Sequence, residues 1–82
     1  MQIFFKPSAR REFDKLLPTV QSEIVPRLLG LERNPFPPGY RKLQGREGFR
    51  LRYRDYRILY SVNTALQTIT VLAIAHRRDV YR

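Results

Sequence analysis

Through Phe49-Arg50-Leu51-Arg52-Tyr53-Arg54-Asp55-Tyr56-Arg57-Ile58-Leu59-Tyr60 the apolar residues return at every second position. Phe49, Leu51 and Tyr53 alternate with Arg50, Arg52 and Arg54, and a period of two puts the two sets on opposite faces of a strand. Asp55 suits a turn. From Tyr56 to Val62 the alternation resumes, with Tyr56, Ile58, Tyr60 and Val62 on one side and Arg57, Leu59 and Ser61 on the other. The stretch therefore predicts two neighbouring strands with an apolar face and a row of arginines on the other.

Working outward, Asn63 to Gln67 reads as a turn and Thr68 to Ala75 (TITVLAIA) as a mostly apolar central strand covered on both faces. Residues 58–75 carry no charge at all, as a buried hairpin would. His76 to Arg82 leaves the sheet as a charged tail. Upstream, Asn34-Pro35-Phe36-Pro37-Pro38-Gly39 is a loop. Val20, Ile24, Leu28 and Leu31 space a helix over 19–33, which Pro26 is expected to kink or split. Ala9, Phe13, Leu16 and Leu17 space another, started by Pro7-Ser8 and broken by Pro18. Gln2 to Lys6 is a first short strand. The order β-α-α-β-β-β predicts a small α+β domain spanning 1–82. Its helical hairpin packs on one face of a mainly antiparallel sheet, because so short a chain cannot cover both faces.

Composition narrows the chemistry. The 82 residues include no cysteine and one histidine, which excludes disulfides, thiolate nucleophiles and Cys- or His-rich metal sites. Asp79 is the lone carboxylate among the basic groups of the tail, so no metal is expected. Sixteen basic residues face seven acidic ones, a formal charge of +9. Residues 41–57 hold seven basic and two acidic side chains, a net +5, so the surplus is local. Most of the cations are arginine, suited to bidentate phosphate contacts. No apolar run reaches a membrane span, and MQIFFKP has no signal-peptide core. A cytoplasmic protein with a polyanionic partner and no membrane contact is expected.

Arg50, Arg52 and Arg54 would project about 7 Å apart, close to the spacing of phosphates along an extended single strand. A solvated face that blocks edge pairing is the plainer alternative. The aromatics Phe49, Tyr53, Tyr56 and Tyr60 share the apolar period and belong mostly to the core. His76 is a candidate general acid or base, or a strand-end histidine bonded to backbone. Tyr81 is either functional or a cap on the core.

These residues resemble the RelE/ParE superfamily of type II toxins. The resemblance covers nearly the whole chain. It is most specific in Lys42-Leu43-Gln44-Gly45, in Phe49 to Tyr60, and in His76-Arg77-Arg78-Asp79-Val80-Tyr81, the last similar to the RelE branch. It implies a ribosome-dependent, metal-independent endoribonuclease without cofactors that cuts mRNA in the A site by 2′-hydroxyl attack. It aligns two family lysines with Arg50 and Arg52, a phosphate-stabilising arginine with Arg57, a second arginine with Arg77 and a base-stacking tyrosine with Tyr81. Arg54, Arg46, Lys42 and Arg78 are the further expected RNA contacts. Arginine stays protonated, so the family's lysine base has no equivalent; His76, Tyr81 or a ribosomal group would take that role, or the reaction would rely mostly on positioning and charge. The resemblance also implies a cognate antitoxin, ribosome and mRNA as partners, and promoter DNA only through the antitoxin complex. ParE-type toxins of this fold instead inhibit DNA gyrase without nuclease activity. A non-catalytic RNA-binding module is the third reading.

Overall fold

The arginine row and the helical hairpin end on opposite sides of one sheet. The computed structural model describes residues 1–76. Its elements are β1 (Gln2–Phe5), α1 (Pro7–Asp14), α2 (Pro18–Arg33), β2 (Arg41–Lys42), β3 (Phe49–Tyr53), β4 (Tyr56–Asn63) and β5 (Thr68–His76). The strands form one sheet in the order β1-β5-β4-β3-β2. β1 runs parallel to β5; every other pairing is antiparallel.

Each turn follows from local chemistry. Tyr53 pairs with Tyr56, leaving Arg54 and Asp55 as a two-residue hairpin loop with Arg54 at φ 51°. Pro18 forces Leu17 into an extended conformation, φ −58° and ψ 144°. That ends α1 early, so Leu16 and Leu17 lie beyond the helix that their spacing predicts. Pro26 neither splits nor ends α2, which is one helix of 16 residues. Its ring is on the solvent side, where water can serve the carbonyl that loses its partner.

The core lies between the hairpin and one sheet face. Ile24, Leu28 and Leu31 of α2 and Ala9 of α1 pack with Leu51, Tyr53, Ile58, Tyr60, Ile69, Val71 and Ile74. Each large apolar side chain sequestered there contributes roughly 1.5–3 kcal/mol before entropy is charged against it. Phe36, Tyr40, Phe49 and Tyr60 form a chain of ring contacts between 5.1 and 5.9 Å that pins the proline-rich loop to the sheet edge. Tyr60 donates a 2.7 Å hydrogen bond to the Pro35 carbonyl.

Three expectations are corrected. β2 is an extra strand, too short to leave a period in the sequence. β5 is central but not covered on both faces: Leu72, Ala73 and Ala75 stay half-buried. It also extends to His76, which therefore belongs to the sheet and not to the tail. Beyond Val71 it outruns β1, and there the Glu12 carboxylate of α1 accepts a 3.1 Å hydrogen bond from the Ile74 N–H.

Candidate functional site

Strand register decides which cations share a surface. On β3, Arg50 and Arg52 point away from the helices, since Leu51 and Tyr53, which alternate with them, are buried in the core. Arg57 of β4 stands directly opposite Arg52, and Arg41 of β2 directly opposite Arg50. Neighbours across a ladder share a face, so four arginines form two cross-strand pairs on the open side of the sheet. The two pairs are separated by about 7 Å along β3. Arg41, Arg50 and Arg52 line one groove with Pro38, Gly39, Leu51 and Arg27 of α2. Arg52 and Arg57 line a second hollow at the hairpin end together with Arg54 and Asp55.

Like charges placed opposite one another oppose folding. At about 4 Å the repulsion is roughly 1 kcal/mol in water and several times that in a partly dry site. An anion between them turns repulsion into two charge-assisted contacts. Arg57 is only 8% exposed, so its position is fixed by packing before a ligand arrives. Donors fixed in advance are what stabilise developing charge on a phosphate.

Other predicted site residues part from this row. Arg54 lines the hollow of Arg52 and Arg57 but leaves the strand alternation: the left-handed turn takes its guanidinium to Glu23 of α2, 3.7 Å away, and over the Tyr53 ring at 5.6 Å. His76 pairs in register with Tyr56 and meets its ring edge-on at 5.1 Å. Tyr56 and its partner Tyr53 belong to the helix side, so His76 projects from the face opposite Arg52 and Arg57. Lys42 faces away from Arg41, at the register position of Phe49. Arg46 is exposed in the loop between β2 and β3. Phe49, Tyr53, Tyr56 and Tyr60 all keep to the helix side. Arg77, Arg78 and Tyr81 lie outside the described residues. Arg41 was not expected in the row; in a two-residue strand no alternation signals its direction.

A helical hairpin backing one face of a five-stranded sheet is a fold that recurs among solved toxins of type II toxin–antitoxin systems. The sequence profile for the ParE toxin of the type II toxin–antitoxin system parDE matches residues 3–81. Toxin RelG of Mycobacterium tuberculosis (strain ATCC 25618 / H37Rv) is 35% identical, with 95% of this chain and 92% of that protein covered. The chain belongs to the RelE/ParE superfamily of type II toxins. Among solved structures, the toxin–antitoxin complex RelBE2 of Mycobacterium tuberculosis superposes with a TM-score of 0.82 at 30% identity, covering 93% of this chain and 90% of that one. The isolated E. coli RelE toxin gives 0.81 at 25% identity, covering 98% and 89%.

Proposed function

We propose that this toxin is an endoribonuclease that cuts mRNA bound to the ribosome, with Arg52 and Arg57 gripping the phosphate at the cut. The observation that carries the reading is their cross-strand juxtaposition on the open face, with Arg50 beside them. In the reaction the ribose 2′-oxygen attacks the adjacent phosphorus and the P–O5′ bond breaks. The products are a 2′,3′-cyclic phosphate and a 5′-hydroxyl. The guanidinium groups stabilise the extra negative charge on the phosphoryl oxygens as the attack proceeds. His76 projects from the face opposite Arg52 and Arg57, which favours Tyr81 or a ribosomal group as the acceptor of the 2′-hydroxyl proton, or a reaction driven mostly by positioning and charge. The superfamily pattern adds Arg77 as a further cation and Tyr81 as a base-stacking ring.

A cognate antitoxin belongs to the same reading. RelBE2 of Mycobacterium tuberculosis and RelBE of E. coli were both solved as toxin–antitoxin complexes. An acidic antitoxin segment would be steered to so basic a chain. Contact with promoter DNA would come through that complex.

The test is primer extension on an mRNA translated in vitro, with and without ribosomes. Arg57→Ala should cut about 10²–10³-fold more slowly, the usual loss for one oxyanion-stabilising donor. Arg10→Ala, exposed on α1 and paired with Asp14 at 3.2 Å, should match the unmutated protein. An Arg57→Ala protein that keeps its circular dichroism spectrum and cuts at full rate would overturn the assignment. The match to a ParE profile favours one second reading, gyrase inhibition. On that reading Arg57→Ala stays toxic, and cells show DNA damage without mRNA cleavage.

A further inference from the structure

We infer that Arg41 and Arg50 form a second phosphate subsite, which holds the nucleotide next to the one being cut. The proposal rests on the nuclease reading for its choice of ligand, and on strand register for its geometry. Arg41 is opposite Arg50 just as Arg57 is opposite Arg52, and both pairs lie on the open face. The pairs are two residues apart on β3, about 7 Å, which is one nucleotide step of an extended single strand. The groove shared by Arg41, Arg50 and Arg52 runs past Gly39, where no side chain narrows it. A guanidinium pair selects a phosphodiester by charge and fork geometry and is blind to the base. The subsite thus sets register along the RNA backbone, and Arg41 acts as a positioning residue. Its contact is one nucleotide from the bond that breaks.

The probe is a short single-stranded RNA with a 2′-deoxy nucleotide at the attacking position, so that it binds without being cut. Three forms are compared: all-phosphate, and a neutral methylphosphonate replacing the phosphate on either side of the scissile one. Binding of the full chain is measured against salt by fluorescence anisotropy. Arg41→Ala should bind the all-phosphate RNA roughly tenfold more weakly, the worth of one charge-assisted hydrogen bond. Its log–log salt slope should be shallower by about 0.7. One of the two methylphosphonates should cost the unmutated protein the same factor and cost Arg41→Ala nothing more. Arg33→Ala, which removes an equal charge from the end of α2, should show no such coupling. Additive losses for Arg41→Ala and both methylphosphonates would overturn the subsite. So would an Arg33→Ala loss equal to that of Arg41→Ala, because net charge alone would then explain it. Coupled binding by a protein that cuts no ribosome-bound mRNA would sustain the subsite and sink the nuclease reading. Arg41→Lys should recover part of the affinity, since a point charge replaces the fork.

Discussion

Tyr60 ties the core to the loop that flanks the basic groove. Its ring is fully buried and its hydroxyl reaches the Pro35 carbonyl, 25 residues back. Burial, reinforced by Tyr40, pushes its pKa from 10.0 up to about 12. A pKa raised on folding means that the folded state holds the proton more tightly. The associated stability is complete below pH 10 and is lost as the pH climbs through about 12. Tyr60→Phe should remove that alkaline dependence in urea melts across pH 9–12. At neutral pH it should cost about 1 kcal/mol for the lost bond. Gly48 is tied to the same strand: at φ +119° a Cβ there would stand 2.9 Å from the Tyr60 carbonyl oxygen. Side-chain direction at the β3–β4 hairpin is not written in the residues. Strict alternation puts Arg54 in line with Arg50 and Arg52. The hairpin, however, needs a positive φ at its first loop position, and Arg54 supplies it where glycine is the usual choice. Nothing in a two-letter loop of Arg and Asp announces that twist, which takes the Arg54 guanidinium to Glu23 while the residue still lines the hollow of Arg52 and Arg57.

Among the elements, those with long periods were legible and those without were not. β3 and β4 alternate cleanly, and their pairing fixes Arg52 beside Arg57. β2 has two residues and no period, so the arginine it adds to the open face could be found only from register. The helices were visible in their apolar spacing, but Leu16 and Leu17 match that spacing and still fall outside α1, because Pro18 governs the residue before it. Pro26 shows the opposite failure. A proline inside a helix is expected to kink or split it; α2 is not split, because Ile24, Leu28 and Leu31 anchor it on both sides. The helix is held by packing in spite of local cost. Pro26→Ala should therefore stabilise the protein, by about 1–3 kcal/mol, without touching the core. Thermal melts should show a midpoint higher by at least about 4 °C. A lowered midpoint would mean that the proline is needed for the path of α2.

Over the whole molecule, charge is layered. The two helices and their connection hold nearly balanced charge, while residues 41–57 carry a net +5 from seven basic and two acidic side chains. The molecule extends 33 × 28 × 25 Å, several times the Debye length of about 8 Å at physiological ionic strength. The net charge of +9 therefore does not act as one point charge at the binding surface. It speeds approach, and the arginine pairs decide what is held. Four phosphate contacts on a single strand predict a log–log slope of affinity against salt of about −3. Anisotropy titrations at several salt concentrations give that slope directly. A flat response would speak for a protein target and for gyrase inhibition.

The carboxylate of Glu12 on the Ile74 N–H has a consequence for solubility. β5 is apolar and runs on past Val71, where its pairing with the parallel neighbour ends, so β1 covers only the first part of that strand edge. Edges of that kind recruit copies of themselves into stacked, insoluble sheets. A single side-chain oxygen from α1 occupies one of the donors such stacking would use. The helix thereby gives a chain with an open sheet face some protection from self-recruitment.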